Sequence, residues 1–213
     1  MSLTFATGLV DAASFLGLGR IFTANMTGNI VFIGFSIAGA PGLSFNGQVS
    51  SLIAFAAGAA LAGRFCSKSS AAPNRGWLLK TALLEAVLLF AAAVVAMEFV
   101  SRQVGLVARS YTVVVLTALA MGWRTAIVRR LAVPDLVTTV LTLTLTGLAA
   151  ESSLAGGDNP RFGRRLCSLA VMFAGAISGA LLLRLGLAAP LAASGLCALI
   201  AAGAYVTLPA SET

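Results

Sequence analysis

The sequence predicts an all-α polytopic membrane protein. Of its 213 residues, 59% are hydrophobic and only 10% are charged, and the mean hydropathy is +0.97. Soluble domains average about 25% charged residues, so this chain carries too little charge to cover a water-soluble globule. The apolar stretches are dominated by Ala and Leu and lack the alternation of strands. We therefore predict a helical bundle, organised as a single transmembrane domain over residues 1–213.

Eight apolar segments follow one another along the chain, and two of them are short for a membrane span. The segments cover residues 3–18, 26–40, 49–63, 77–100, 109–128, 135–150, 166–186 and 189–208. A full helical span needs roughly 20 residues. The second and sixth segments are shorter than this, and each begins at a polar motif. We predict that these two are re-entrant or broken helices and that the other six segments cross the bilayer.

The positions of the basic residues favour six spans over eight. With six spans, both termini and the basic clusters at 64–80 and 161–165 lie in the cytoplasm, together with Arg129 and Arg130. With eight spans, the cluster at 161–165 would lie outside, against the positive-inside rule. The same rule explains the net charge of +7, because the basic residues lie in short loops between apolar segments. We therefore expect the lipid bilayer as the partner and no nucleic acid.

The polar motif RIFTANMTGNIV at residues 20–31 has a weak counterpart in RLAVPDLVTTVL at residues 130–141. The matched positions are Arg20 with Arg130, Asn25 with Asp135, Asn29 with Thr139 and, after a shift of about one helical turn, Gly8 with Gly122 and Ala12 with Ala126. Further along, residues 54–63 resemble residues 172–181. We therefore predict two internal repeats, at about 1–100 and 101–213.

These two repeats are expected to be inverted relative to one another. Each half contains three spans and one short helix, and an odd number of spans reverses the direction of the second half. Inverted repeats with discontinuous helices point to a midplane site in transporters. Irregular backbone at membrane depth also requires burial in protein or a water-lined cavity. We expect the two motifs to converge on such a cavity near the membrane centre.

The candidate substrate-binding residues lie in or beside these motifs. Asp11 lies within the first span, where a charged side chain costs at least ~2.5–3.5 kcal/mol to insert, which makes it a functional candidate. The alternative is an ion pair with Arg124, whereas Glu85 is interpreted as a residue near the membrane interface. Asn25 and Asp135 are expected to cap the short helices. The complete predicted set is Asp11, Ser14, Asn25, Thr27, Asn29, Arg124, Asp135, Thr138 and Thr139.

Catalytic and cofactor chemistry is not expected from this sequence. The chain has no histidine, and its three cysteines lack paired spacing, so no metal site, no cofactor and no enzyme activity are predicted. The leading hypothesis is a transporter or channel for an unknown small polar or ionic solute. The alternative is a membrane scaffold or partner subunit that transports nothing. Bundles of this size often associate, so a homo-oligomer stays open.

Two stretches resemble the YoaK family of bacterial membrane proteins. They read TGLVDAASFLGLGRIFTANMTGNIVFIGFSIAGAPG at residues 7–42 and RRLAVPDLVTTVLTLTLTGLAA at residues 129–150. The resemblance implies a six-span protein of a bacterial plasma (inner) membrane, with a function that is not established. One departure concerns MGWRTA at residues 121–126, where the family commonly has Gln-Asn after MGL. Arg124 and Thr125 occupy those positions here.

Overall fold

The computed structural model describes residues 1–68, 75–97, 106–131 and 141–207. These residues contain eight α-helices and no strand, so the predicted all-α class is confirmed. The helices are α1 (Ser2–Gly17), α2 (Met26–Ile37), α3 (Phe45–Lys68), α4 (Arg75–Met97), α5 (Leu106–Arg130), α6 (Leu141–Ala150), α7 (Phe162–Leu182) and α8 (Ala188–Thr207). Each corresponds to one of the eight predicted segments.

Helix lengths divide the elements into long and short ones. Four helices, α3, α4, α5 and α7, are long and apolar enough to cross a membrane. The helices α2 and α6 have 12 and 10 residues, as their short segments predicted. Large apolar side chains are exposed along the bundle, among them Ile30, Phe35, Ile53, Val87 and Phe173. Such faces are apolar enough for lipid to cover them.

The helix α3 is longer than predicted, with 24 residues in place of the segment 49–63. Its start is capped by Ser44, whose Oγ accepts a hydrogen bond from the Gly47 N–H at 3.2 Å. Polar residues in its first turns are buried against α2 and the connection before it. Gln48 accepts a hydrogen bond from Ser36 of α2 at 3.1 Å. Contacts with α2 thus bury the start of α3, a stretch that lies outside the predicted apolar segment.

The helices of one half pack on those of the other half in corresponding pairs. Helix α1 packs on α7 as α3 packs on α5, and α4 contacts α5 as α1 contacts α8. Helix α2 lies on α3 as α6 lies on α7, while α4 and α8 pack directly against each other. The same set of helix contacts results when α1 is exchanged with α5, α2 with α6, α3 with α7 and α4 with α8.

Glycines allow α3 and α5 to approach within backbone contact. A Cβ atom on Gly58 would collide with the carbonyl oxygen of Leu119, and one on Gly122 would collide with that of Phe55. Gly58 and Gly122 thus both form close helix contacts. Gly63 differs, because a Cβ there would meet no described atom within 4 Å. Gly63 lies on an outward-facing side of α3.

The α1–α7 contact is built in the same way. A Cβ atom on Gly8 would collide with the carbonyl oxygen of Met172, and one on Gly175 would collide with that of Phe5. Gly179 packs against α1 one turn further along α7. The Gly175–Gly179 pair of α7 thus packs closely on α1. In both helix pairs the absence of a side chain sets how closely the two backbones approach.

Four helices, α1, α4, α5 and α8, meet along the centre of the bundle. We call the end where α1 and α4 begin and α5 and α8 end the lower end, and the opposite end the upper end. The lower end contains a cavity. The middle level is a packed cluster formed by Val10, Ala24, Leu89, Ala120 and Met121. The upper end is closed by the upper cluster, formed by Ala13, Leu18, Ile21, Ala92, Ala93, Ala96, Val113, Val114 and Leu191.

Candidate functional site

The chain leaves α1 through two residues in the left-handed region. Gly19 has φ +84° and Arg20 has φ +62°, and the Arg20 N–H bonds back to the Phe15 carbonyl at 3.0 Å. Glycine adopts this conformation at no steric cost, whereas a non-glycine residue rarely does. This turn ends α1 and starts a non-helical connection over residues 21–25, which leads into α2.

Asn29 holds this connection in place. Its Oδ1 accepts from the Phe22 N–H at 2.9 Å, and its Nδ2 donates to the Phe22 carbonyl at 2.6 Å. Ser51 of α3 donates to the same carbonyl at 2.6 Å. Asn29 is fully buried and does not belong to the lining of the cleft described next. The sequence predicted Asn29 as a solute-binding residue, but its amide is used by the fold itself.

A cleft of about 440 Å³ lies beside the connection. The first turns of both short helices contribute to its wall, together with residues of α1 and α7. The lining residues are Asp11, Ala24, Asn25, Thr27, Gly28, Val31, Phe32, Leu141, Thr142 and Met172. Three of the predicted site residues, Asp11, Asn25 and Thr27, are therefore brought together in one cleft.

Asp11 supplies the charged group in the lining of this cleft. Its carboxylate lies close to the Ala24 backbone. Its Oδ1 atom, however, is buried and has no hydrogen-bond partner in the described part of the chain. A buried polar atom without a partner costs free energy. A donor or a cation that reached this atom from the cleft would remove that cost.

The other polar residues predicted for the site differ in whether their side chains form hydrogen bonds within the protein. Asn25 occupies the N-cap position of α2, as predicted, but it makes no side-chain cap hydrogen bond to the described residues. It is exposed, as is Thr27 in the first turn, so both side chains are available to a solute. Ser14 is buried and donates to the Asp11 backbone carbonyl at 3.3 Å. Ser14 therefore stabilises α1 locally.

Of the second motif, Asp135, Thr138 and Thr139 lie outside the described residues, so their predicted roles stay predictions. The motif continues into α6, whose residues Leu141 and Thr142 line the cleft. The Thr142 side chain carries a hydroxyl and is exposed. The first turn of α6 therefore reaches the same cleft as the first turn of α2.

Arg124 pairs with Glu85 and not with Asp11, so the expected Asp11–Arg124 ion pair is wrong. Its Nε donates to Glu85 Oε1 at 2.6 Å, and its Nη2 contacts the same oxygen. Its Nη1 donates to the Thr7 hydroxyl at 3.1 Å and to the Leu3 carbonyl at 3.2 Å. Arg124 and Glu85 are both buried. The sequence interpretation placed Glu85 near the membrane interface, although a carboxylate in the middle of an apolar segment was itself a signal.

This ion pair lies in the wall of the lower-end cavity, which has a volume of about 300 Å³. The cavity is otherwise mostly apolar, with Leu78, Ile127 and Ala202 in its wall. Among the residues that the structure describes, no group of three metal-binding side chains occurs. The Asp11 cleft and the Arg124–Glu85 pair are thus two separate polar centres within the described part of the chain.

Comparisons with known proteins place this architecture in a family. The family described as "Protein of unknown function (DUF1275)" matches residues 1–203. The chain belongs to this family. It is 32% identical over 154 residues to the UPF0700 transmembrane protein YoaK of Bacillus subtilis (strain 168). That match covers 71% of this chain and 64% of the relative's own length. No solved structure matches.

Family membership confirms the resemblance expected from the two polar motifs. It also establishes that this chain is an integral membrane protein, in agreement with its composition and its long apolar helices. Both polar centres therefore lie among helices of a membrane domain. Ionisable groups in such a setting are costly and usually functional.

Proposed function

We propose that this protein transports a small polar or ionic solute across a bacterial plasma membrane. The site would be the cleft where the first turns of α2 and α6 meet Asp11. The observation that carries the proposal is the buried Oδ1 of Asp11, which has no partner among the described residues and belongs to a cleft with exposed Asn25 and Thr27. The proposed role is that of a carrier or channel and not that of an enzyme.

The directions of the helices support a six-span topology. Helices α1 and α4 both begin at the lower end. If α2 and α3 both crossed the bilayer, α1 and α4 would run in opposite directions. They run in the same direction, as expected when α2 does not cross. The same argument applies to α5 and α8, with α6 between them, and the positive-inside rule then favours cytoplasmic termini.

Inverted repeats are supported by the opposite directions of α1 and α5 and by the glycine contacts. The two contacts correspond residue by residue: Phe5 and Gly8 stand 114 positions before Leu119 and Gly122, and Phe55 and Gly58 stand 117 positions before Met172 and Gly175. One helix pair thus repeats the contacts of the other. Inverted repeats with discontinuous helices commonly carry a substrate site between them.

A scaffold without transport is the second candidate function. Asn29 and Ser51 favour it for part of the polar residues, because their hydrogen bonds join the connection to α2 and α3. Asp11 and Asn25 do not fit this role equally well, since Asp11 Oδ1 and the Asn25 side chain are not used in this way by the described chain. Variants at Asp11 therefore separate the two functions.

The proposal is tested in proteoliposomes with a defined panel of ammonium chloride, potassium nitrate, glycine and urea. Uptake is followed by light scattering for fast movement and by isotope exchange for slow movement. At least one solute should enter faster than it enters protein-free vesicles. Asp11→Asn should reduce that rate about tenfold or more, equivalent to about 1.4 kcal/mol.

The matched control is Asp158→Asn, which makes the same chemical change at an exposed position. Its uptake should equal that of the wild type. If wild type, Asp11→Asn and protein-free vesicles all give the same rates for the whole panel, transport through this cleft is contradicted. The scaffold would then be the better description.

A further inference from the structure

The two ends of the central four-helix group are packed differently. At the lower end, α1, α4, α5 and α8 surround a cavity of about 300 Å³. At the upper end, the same four helices form the upper cluster, in which Ala13, Ala92, Val113 and Leu191 are fully buried. If α1 is exchanged with α5 and α4 with α8, as the repeat requires, the lower end takes the place of the upper end. The two ends thus occupy equivalent sequence positions, but the described residues pack closely only at the upper end.

We propose that the four-helix group is open at the lower cavity, that the upper cluster is a closed gate, and that the two ends exchange states. This inference rests on the inverted repeats of the proposed function. Because the two halves are equivalent, the architecture itself does not favour an opening at either end. A second state, with the upper end open and the lower end closed, therefore has the same architecture. The structure described here is then the state that is open at the lower end.

Side-chain size at the gate fits such an exchange. In the upper cluster, α4 contributes Ala92, Ala93 and Ala96, whose small side chains do not interlock with their neighbours as long ones do. Large side chains such as Leu191 then provide much of the contact that closes the gate. The cavity of about 300 Å³ at the lower end leaves space into which the corresponding helix ends would move when that end closes.

The Arg124–Glu85 pair lies where it can act as a pivot about which the helix ends move. Glu85 lies one turn from Leu89 and Arg124 lies one turn from Met121, and both of these residues belong to the middle cluster. The hydrogen bonds described for Arg124 go to residues of the first half. The pair therefore holds the two halves together between the cavity and the middle level, while the ends of the helices are left to separate or close.

Cysteine labelling tests the exchange. Cys66, Cys167 and Cys197 are replaced by Ala, and single cysteines are introduced as Ala82→Cys in the cavity wall and Ala93→Cys in the gate. A membrane-impermeant maleimide is added to one side at a time. Ala82→Cys should react quickly from the lower side. Ala93→Cys should react slowly and from the upper side.

Weakening the gate should change the two labelling rates in opposite directions. Leu191→Ala removes gate contacts and should raise labelling of Ala93→Cys about tenfold while it lowers labelling of Ala82→Cys. Val113→Ala is a second gate variant that should act in the same direction. The control is Ala54→Cys, a buried position of α3 outside both regions, which should stay unreactive throughout.

Two results would overturn the exchange. One is an Ala93→Cys that never reacts in either gate variant, and the other is a gate variant that raises both labelling rates together, as general loosening would. Solute uptake with either result would leave the proposed function standing without the gate. Opposite changes in labelling without uptake of any solute in the panel would support the gate and count against transport.

Discussion

Arg124 of α5 and Glu85 of α4 form a buried ion pair that joins the two halves of the chain. The Arg124 Nε lies 2.6 Å from Glu85 Oε1, and both side chains are almost inaccessible. Thr7 and the Leu3 carbonyl of α1 accept the remaining described hydrogen bonds of the guanidinium. One residue of the second half thus contacts two helices of the first half.

The first prediction concerns this pair. Glu85→Gln leaves the buried guanidinium without its counter-ion and should cost about 3–5 kcal/mol of stability. Combining Glu85→Gln with Arg124→Gln should recover much of that loss. Denaturation in detergent measures all four proteins of this double-mutant cycle. In the control cycle, a substitution of Asp11 takes the place of the substitution of Glu85, and its coupling energy with Arg124→Gln should be smaller. Additive losses for Glu85 and Arg124 would contradict the pair.

The second prediction concerns Asn29. Asn29→Asp keeps the shape but removes the donor to the Phe22 carbonyl, so two oxygens would face each other at a buried position. We expect a loss of about 1–3 kcal/mol in detergent denaturation. Asn46→Asp, at an exposed position of α3, should be nearly neutral. Equal stability of both variants would show that Asn29 does not hold the connection. Asn29→Leu should likewise destabilise the fold and cannot serve as a variant that affects transport alone.

The third prediction compares two glycines of the same helix. Gly58→Ala places a Cβ against the Leu119 carbonyl and should destabilise the protein, because that contact is backbone and cannot move aside. Gly63→Ala meets no described atom within 4 Å and should be neutral or stabilising by up to ~1 kcal/mol through helix propensity. Thermal denaturation of the two variants provides the comparison. A more destabilising Gly63→Ala would contradict the α3–α5 contact.

The fourth prediction concerns topology. Cysteines are introduced as Ser67→Cys at the end of α3 and as Arg164→Cys at the start of α7, with the native cysteines replaced. If α6 does not cross the membrane, two spans separate the sites and both should be labelled from the cytoplasmic side. An α6 that crosses would place them on opposite sides, and labelling from opposite faces of the membrane would exclude the six-span topology.

The fifth prediction concerns acid sensitivity of the connection between α6 and α7. Arg165 Nη1 lies 2.7 Å from Glu151 Oε2, and this hydrogen bond holds the pKa of Glu151 below its usual range. A lowered pKa means that the stabilisation is present above the unfolded-state pKa and is lost as the pH falls through the folded-state value. Hydrogen-exchange protection at residues 151–157, corrected for the intrinsic pH dependence of amide exchange, should therefore decrease in acid. Glu151→Gln should remove that dependence, and an unchanged profile would rule out the ion pair as its cause.

Sequence information was sufficient for features that depend on neighbouring residues. The eight helices could be predicted from hydropathy, because the apolar stretch that forms each helix is visible in that helix's own sequence. The N-cap position of Asn25 and the short α2 follow from a polar motif beside an apolar run, and both agree with the structure. The cleft lining could be predicted in part, because Asp11 was conspicuous as a carboxylate in an apolar segment.

The sequence by itself determined that this chain is a helical membrane protein with two short helices beginning at or just after polar motifs, because these properties are local. The tertiary structure alone decided the partners. Arg124 and Glu85 stand 39 positions apart, and nothing near either residue indicates which faces of α4 and α5 meet. The sequence around Asn29 is the same whether its side chain binds a solute or the Phe22 backbone. Only the packing of the connection against α3 decides between these roles, because a buried amide must bond to whichever groups the fold brings within reach.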